Sequence, residues 1–184
     1  MVLAGLSSFL LFLGMYVYVP TLTPYAVSMG ASMTVVGLLV GSYGFSQLLF
    51  RIPIGVISDR LGRRKPFVMA GMICGGLGAL GLALSPSPFF LVLSRGLVGV
   101  GASFYVTITV LFASFFPMDK SFRAMTLVQV AASSSVVLAS LIGGFVAGAY
   151  GWVAPFYVGA GIGVVGLLVA GAIREKEPEQ VRVS

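Results

Sequence analysis

Six long apolar segments, joined by short polar turns, constrain the fold of this chain more than any other feature of its sequence. A helix needs about 20 apolar residues to cross the hydrocarbon core of a bilayer, and each segment is long enough. With 58% hydrophobic and 9% charged residues, the chain lacks the polar surface of a soluble domain. The sequence therefore predicts an all-α integral membrane protein with six transmembrane helices. These lie near residues 3–24, 33–57, 66–85, 88–115, 122–149 and 151–173.

The turns between these segments are too short to hold a separate domain. The third and fourth segments, for example, are joined at Ser85-Pro86-Ser87-Pro88, which is typical of a tight turn. We therefore interpret residues 1–173 as one six-helix transmembrane domain. Residues 174–184 are interpreted as a polar cytoplasmic tail or the start of a central loop.

The basic residues predict the orientation of the helices. They cluster after the second, fourth and sixth segments, whereas the turns after the first, third and fifth contain none. Short loops rich in Lys and Arg remain in the cytoplasm, so both termini are predicted to be cytoplasmic. The net charge of +6 then reflects topology and contact with anionic lipid, and no nucleic-acid partner is expected. A prokaryotic plasma membrane is the default location because no targeting segment is recognisable.

A charged turn follows the second segment and reads Gly55-Val-Ile-Ser-Asp59-Arg60-Leu-Gly62-Arg63-Arg64-Lys65. The pattern G-x-x-x-D-R-x-G-R-R-K resembles the signature loop between helices two and three of the major facilitator superfamily of secondary transporters. The resemblance extends over essentially all 184 residues. It implies the amino-terminal half-bundle of such a permease, with its six helices arranged as a 3+3 inverted repeat.

The same resemblance implies a function and its partners. Proteins of this superfamily move small solutes across the lipid bilayer by alternating access, so the expected activity is secondary transport of a small-molecule substrate. Because one half encloses no cavity, a second six-helix half is expected as a partner. That half would be either a carboxy-terminal half or a second subunit. A non-transporting membrane subunit or receptor that retains the half fold and binds a partner is the alternative.

By resemblance, the charged turn is also a conformational latch that joins the two halves on the cytoplasmic side. Glycines allow a sharp turn and close approach of helices, and a carboxylate at a helix end can contact the positive end of another helix. A basic cluster that only sets topology is the alternative. The latch residues are Gly55, Asp59, Arg60, Gly62, Arg63, Arg64 and Lys65, with Asp119 in the next cytoplasmic turn as their expected partner.

Arg95 is the main candidate for the substrate or coupling pathway. It lies about 10 Å inside the fourth segment, where an unpaired guanidinium is unfavourable, so it is expected to face a cavity. The run Arg95-Gly-Leu-Val-Gly99-Val-Gly101 also resembles the fourth-helix motif of the superfamily, R-x-x-x-G-x-G, whose arginine is linked to proton coupling or substrate handling. Extension of the side chain to the outer headgroups is the alternative.

Four further polar residues are weaker pathway candidates. Arg51 could instead reach the cytoplasmic interface, and uncharged polar side chains also join helices to one another. The candidates are Arg51, Gln47, Tyr43 and Gln129. All five acidic residues lie in predicted cytoplasmic turns or the tail, so any coupling carboxylate is expected in the other half. Uniport and anion exchange remain open, as does the charge of the substrate.

Cofactors, metals and catalysis are not expected. The chain has no His and a single cysteine, Cys74, inside the third segment, so its ligands for a metal ion are few. No pairing of a nucleophile with a base is recognisable. The sequence therefore favours a transporter over an enzyme.

An internal repeat supports the 3+3 arrangement. A shift of 89 residues places Gly55 on Gly144, Gly62 on Gly151, Pro66 on Pro155 and Phe67 on Phe156. The second copy lacks the charges of the first. Inverted three-helix units predict this difference, because the second turn would face outside. Several aromatic residues near the predicted outer ends, including Tyr16 and Tyr18, are expected at the membrane interface.

Overall fold

The computed structural model describes residues 2–117 and 120–173, which form eight α-helices and no strands. In chain order, α1 to α8 are Val2–Tyr16, Val19–Ser28, Met33–Leu61, Lys65–Ala83, Pro88–Ser103, Tyr105–Ala113, Ser121–Tyr150 and Ala154–Gly171. They make six spans that are long and apolar enough to cross a membrane, with α1 and α2 forming the first and α5 and α6 forming the fourth. The predicted all-α, six-span fold is confirmed. The predicted tail at 174–184 lies outside the described residues.

The first and fourth spans differ from the prediction, which makes them continuous helices over 3–24 and 88–115. The first is broken after Tyr16, and α2 starts with Pro20 in its first turn. Because a proline has no N–H to donate to the carbonyl four residues earlier, one helical hydrogen bond is missing at the break. The fourth is broken at Phe104, just after Ser103, whose hydroxyl donates to the Gly99 carbonyl at 3.1 Å. Such back-bonding bends helices.

The charged turn is shorter than the sequence suggests, since the second span continues to Leu61 rather than ending near 57. Gly55 and Asp59 are therefore helical. Gly62 follows the helix with φ 62°, a left-handed conformation that glycine adopts without steric cost. Its N–H donates to the Asp59 carbonyl. The other boundaries of the third, fifth and sixth spans differ from prediction by one to three residues.

The helix ends reproduce the internal repeat. The ends of α3 and α7, Leu61 and Tyr150, are 89 residues apart, as are the starts of α4 and α8, Lys65 and Ala154. The glycines that follow α3 and α7 both have positive φ, and α4 and α8 both carry proline in the first turn. Because three spans separate the copies, equivalent helices cross the bilayer in opposite directions. The predicted 3+3 inverted repeat therefore describes the fold.

Packing follows the same pseudo-symmetry. Helix α3 packs mainly on α5, and its counterpart α7 packs mainly on α1, while α4 and α8 contact each other at the symmetry-related centre. A Cβ atom at Gly163 of α8 would lie 2.7 Å from the Gly76 Cα atom of α4, so glycine at position 163 allows this close contact. Helices α3 and α7 lie at the edges, and in α3 the only buried residues are Leu39, Ile54 and Ser58.

Candidate functional site

Arg95 lies at the centre of the half-bundle, on α5, and only 6% of its surface is exposed. Its Nη1 atom donates to the Met15 carbonyl at 3.4 Å. Its guanidinium carbon is 4.4 Å from the Tyr43 ring centroid and 5.6 Å from that of Tyr18. The structure therefore brings predicted pathway residues Arg95 and Tyr43 together, and it does not extend Arg95 to the outer headgroups.

The break in the first span supplies the backbone partner of Arg95. Met15 lies in the last turn of α1, where the carbonyl groups have no N–H partner within the helix. In a continuous helix the N–H of the residue four positions later would occupy this carbonyl. The bend at residues 17 and 18 therefore frees an oxygen that a buried cation can bind.

Two glycines of the fourth-helix motif bring these partners to Arg95. A Cβ atom at Gly99 would collide with the Tyr43 carbonyl oxygen, so glycine allows α3 to approach α5. A Cβ atom at Gly101 would lie 2.9 Å from the Gly75 nitrogen and 2.9 Å from Met15 Cε. The R-x-x-x-G-x-G spacing thus places α5 against α3 on one side and against α4 and α1 on the other.

The charge of Arg95 is incompletely compensated. Its Nε atom and the nearby Tyr18 hydroxyl are both buried without a hydrogen bond. Within residues 2–117 and 120–173, the single salt bridge joins Arg64 to Asp59, far along the chain from this site. A cation–π contact contributes about 0.5–2 kcal/mol, whereas desolvating an ion costs several kcal/mol. Two rings and one long hydrogen bond therefore do not offset the burial of this cation.

Tyr18 and Tyr16, which the sequence predicts at the outer interface, pack within the half-bundle. Tyr18 is fully buried beside Phe156, with 5.3 Å between the ring centroids, and Tyr16 is half-buried. The break between α1 and α2 turns Tyr18 toward Arg95. Periodicity along a straight helix does not predict that orientation.

A second polar cluster lies further along the bundle. The Tyr105 hydroxyl donates to Gln129 Oε1 at 3.3 Å, and Gln129 Nε2 donates to Ser133 at 3.5 Å. Arg51 is exposed and lies eight residues after Tyr43 on α3. Of the weaker pathway candidates, the structure therefore brings Gln129 into contact with Tyr105.

The remaining candidate, Gln47, lies between Tyr43 and Arg51 on one face of α3, because these residues are four apart. Its side chain is half-buried, and its backbone carbonyl accepts a hydrogen bond from the Ser103 hydroxyl at 3.2 Å. This contact ties α3 to the end of α5. The face of α3 that carries Gln47 thus runs from the Arg95 site to the Tyr105 cluster.

An aromatic row connects the two polar clusters. It consists of Tyr43, Tyr16, Phe12 and Tyr105, and successive ring centroids are 6.4, 5.9 and 4.8 Å apart. The first three rings are half-buried, and Tyr105 is buried. The Phe12 and Tyr16 rings are inclined by 29°, and the other two pairs meet edge to face at 83° and 89°, so the row offers both ring faces and ring edges.

The latch residues lie around the end of α3. Arg64 Nη2 is 3.4 Å from Asp59 Oδ1, and the Asp59 side chain is 65% exposed. Exposed ion pairs of this kind contribute about 0–1 kcal/mol to stability. Gly55 lies only in ordinary contact with Val106, at 3.8 Å from a built Cβ atom. Arg60 and Arg63 are exposed, Lys65 is half-buried, and the expected partner Asp119 lies outside the described residues.

Comparison with known protein families identifies the family of this chain. The profile of the Major Facilitator Superfamily matches residues 4–184. The chain belongs to the Major Facilitator Superfamily. Membership identifies the chain as part of a membrane transporter family rather than an enzyme family.

Several members of the superfamily are similar in sequence. The inner membrane transport protein YajR of Escherichia coli is 31% identical over 156 residues, covering 84% of this chain and 34% of YajR. The quinolone resistance protein NorA of Staphylococcus aureus is 27% identical, covering 88% of this chain and 42% of NorA. An uncharacterized MFS-type transporter of Methanocaldococcus jannaschii, MJ1560, is 25% identical, covering 90% and 43%. The chain thus spans less than half the length of these relatives.

Three residues of this superfamily member take part in the site without having been predicted: Met15, Tyr18 and Gly143. A Cβ atom at Gly143 would collide with the Val17 carbonyl oxygen, so α7 packs directly against the break in the first span. Pro20 is the signal in the sequence from which the break could have been found. The neighbouring Gly144 makes no such contact, since a Cβ atom there would meet nothing within 4 Å.

Proposed function

We propose that this chain is the amino-terminal half of a secondary transporter that moves small solutes by alternating access. The observation that carries the proposal is a buried, incompletely compensated guanidinium at a helix break near the centre of the span. Discontinuous helices that expose backbone groups line the substrate and ion sites of many secondary transporters. Arg95 would bind the solute or respond to the coupling ion, and Tyr43, Gln47, Arg51 and Gln129 would line the pathway.

The second half of the transporter would cover α3 and α7. Both helices expose long apolar faces, which include Leu48 and Ile52 of α3 and Val137 and Leu141 of α7. The relatives are more than twice as long as the matched segment, which favours a carboxy-terminal half of the same polypeptide over a second subunit. In the proposed orientation both ends of this half face the cytoplasm of a prokaryotic cell.

The Asp59 cluster would act as the latch between the halves. Asp59 lies in the last turn of α3, where the negative end of the helix dipole disfavours a carboxylate. Its exposed side chain would gain more from the positive end of a helix in the other half than from Arg64 alone. Release and formation of this contact would accompany the two cytoplasmic conformations.

Asp59→Asn is expected to reduce the initial rate of solute uptake by at least about tenfold, since about 1–2 kcal/mol of latch energy favours the outward-open state. Uptake by proteoliposomes and cysteine accessibility at the cytoplasmic end of the bundle would be measured together. Accessibility should rise as the latch weakens. Arg123→Gln, which removes an exposed charge from α7, is the matched control and should change neither readout. Unchanged accessibility in Asp59→Asn would contradict the latch.

Solute flux tests the proposal against the alternative of a non-transporting membrane subunit or receptor. The complete polypeptide would be reconstituted in liposomes and screened for uptake of radiolabelled small solutes under ion gradients. A transporter gives saturable, gradient-dependent uptake of at least one solute class. A binding subunit gives none at any solute concentration.

A further inference from the structure

We propose that Arg95 binds the carboxylate group of an aromatic carboxylate solute, whose ring lies against the row formed by Tyr43, Tyr16, Phe12 and Tyr105. This assignment rests on the proposed transport function and specifies its substrate class. Three observations support it: the donor groups around Arg95, the apolar surface beside them, and the charges of the surrounding spans.

The donor groups match a carboxylate. Arg95 uses one N–H group for the Met15 carbonyl, at a long 3.4 Å, and its buried Nε has no partner. The buried Tyr18 hydroxyl also has no hydrogen bond, and its ring centroid is 5.6 Å from the guanidinium carbon. A guanidinium edge binds a carboxylate through two parallel hydrogen bonds, and a nearby hydroxyl can donate a third. A neutral carbonyl could accept some of these hydrogen bonds but would not compensate the charge of Arg95, and a cationic group would be repelled by it.

The surrounding charges favour an anion. Among the described residues, Asp59 is the single acidic side chain, and it lies at the far end of α3 beside Arg64. The surface between the two polar clusters carries Arg95 at one end and Arg51 at the other. With no described acidic side chain beside them, both guanidinium groups favour an anion over a cation.

The aromatic row favours a flat apolar body. Tyr43 contacts both the Arg95 guanidinium and the Tyr16 ring, so the carboxylate site and the row are contiguous. Aromatic rings stack or meet edge to face at centroid distances of about 4.5–7 Å, the range already found along the row. Tyr43 is half-buried and Arg95 is buried, so the ring that contacts the guanidinium is also the more exposed of the two side chains.

Ligand-induced thermal stabilisation tests the assignment without requiring transport. The complete polypeptide, purified in detergent, would be titrated with sodium benzoate, and the midpoint of thermal unfolding would give an apparent affinity. Benzamide, which has the same ring but no charge, and sodium acetate, which has the charge but no ring, are the matched ligands. We expect benzoate to bind at least about tenfold more tightly than either one.

Variants locate the site. Arg95→Gln is expected to weaken benzoate binding at least about tenfold, and Tyr18→Phe about threefold, because each removes donors to the carboxylate. The exposed Arg123→Gln is the control for charge alone and should leave the affinity unchanged. If Arg95→Gln does not fold, Tyr18→Phe and Tyr43→Ala, which removes the ring that links the aromatic row to the guanidinium, provide the test, and each is expected to weaken benzoate binding.

The outcomes separate this assignment from the proposed function. No stabilisation by benzoate, equal affinity for acetate, or loss of binding in Arg51→Gln but not in Arg95→Gln would overturn it. If the protein transports some solute but benzoate neither binds nor competes, the substrate class alone is wrong. If benzoate binds through Arg95 while no solute crosses the membrane, the site stands and the transport function is wrong.

Discussion

Arg95→Ala is expected to reduce solute uptake by at least about 100-fold in the complete protein while leaving the amount of folded protein unchanged. The loss follows because Arg95 is the one buried cation of the described half-bundle and would make charge-assisted contacts with the solute or coupling ion. Removing it deletes an unfavourable buried charge together with contacts worth about 3 kcal/mol in the transport cycle. Initial uptake rates in proteoliposomes, normalised to protein recovered by size-exclusion chromatography, would measure the effect.

Two further variants make this result specific. Arg95→Lys keeps the charge but loses the planar fork, so it is expected to recover only part of the activity. Arg123→Ala removes an exposed arginine from the start of α7 and should transport at nearly the normal rate. Normal uptake by Arg95→Ala would exclude Arg95 from the pathway.

Gly99→Val is expected to destabilise the protein by at least about 1–3 kcal/mol and to eliminate transport. A Cβ atom at this position collides with the Tyr43 carbonyl oxygen, and a backbone atom cannot move aside as the end of a flexible side chain can. Relief of the clash would require α3 to separate from α5. The Tyr43 ring would then leave the Arg95 guanidinium, so stability and function would be lost together.

The midpoint of thermal unfolding and the yield of monodisperse protein would measure this change. Gly161→Val, on α8, is the matched control because a Cβ atom there meets nothing within 4 Å. It introduces the same β-branched side chain into a membrane helix and should leave both quantities almost unchanged. Equal behaviour of the two variants would show that the close approach at Gly99 is unimportant.

Much of the fold could be predicted because it depends on local physical rules. Segments of about 20 apolar residues indicated the number of spans, since backbone groups in lipid must be satisfied within the helix. The glycine and proline positions around Gly62 and Gly151 revealed the repeat, because helix ends need these residues. Arg95 could be selected because a charged residue inside a span is unfavourable unless it has a function.

The surroundings of Arg95 could not be predicted in the same way. Its partners, Met15, Tyr18 and Tyr43, are 52 to 80 positions away in the chain, and hydrophobic periodicity carries no information about such pairs. Hydrophobic periodicity also does not indicate that Gly143, and not Gly144, contacts the break in the first span.

Six apolar spans, the charged turn after the second span and an arginine inside the fourth span could thus be recognised from the sequence of this superfamily member. The packed helices were needed to identify the groups around that arginine and the breaks in the first and fourth spans. Spans, caps and charge placement follow from each segment's own interaction with lipid and water. A site between helices depends on close approaches, such as Gly99 with Tyr43, which exist only after distant segments have packed.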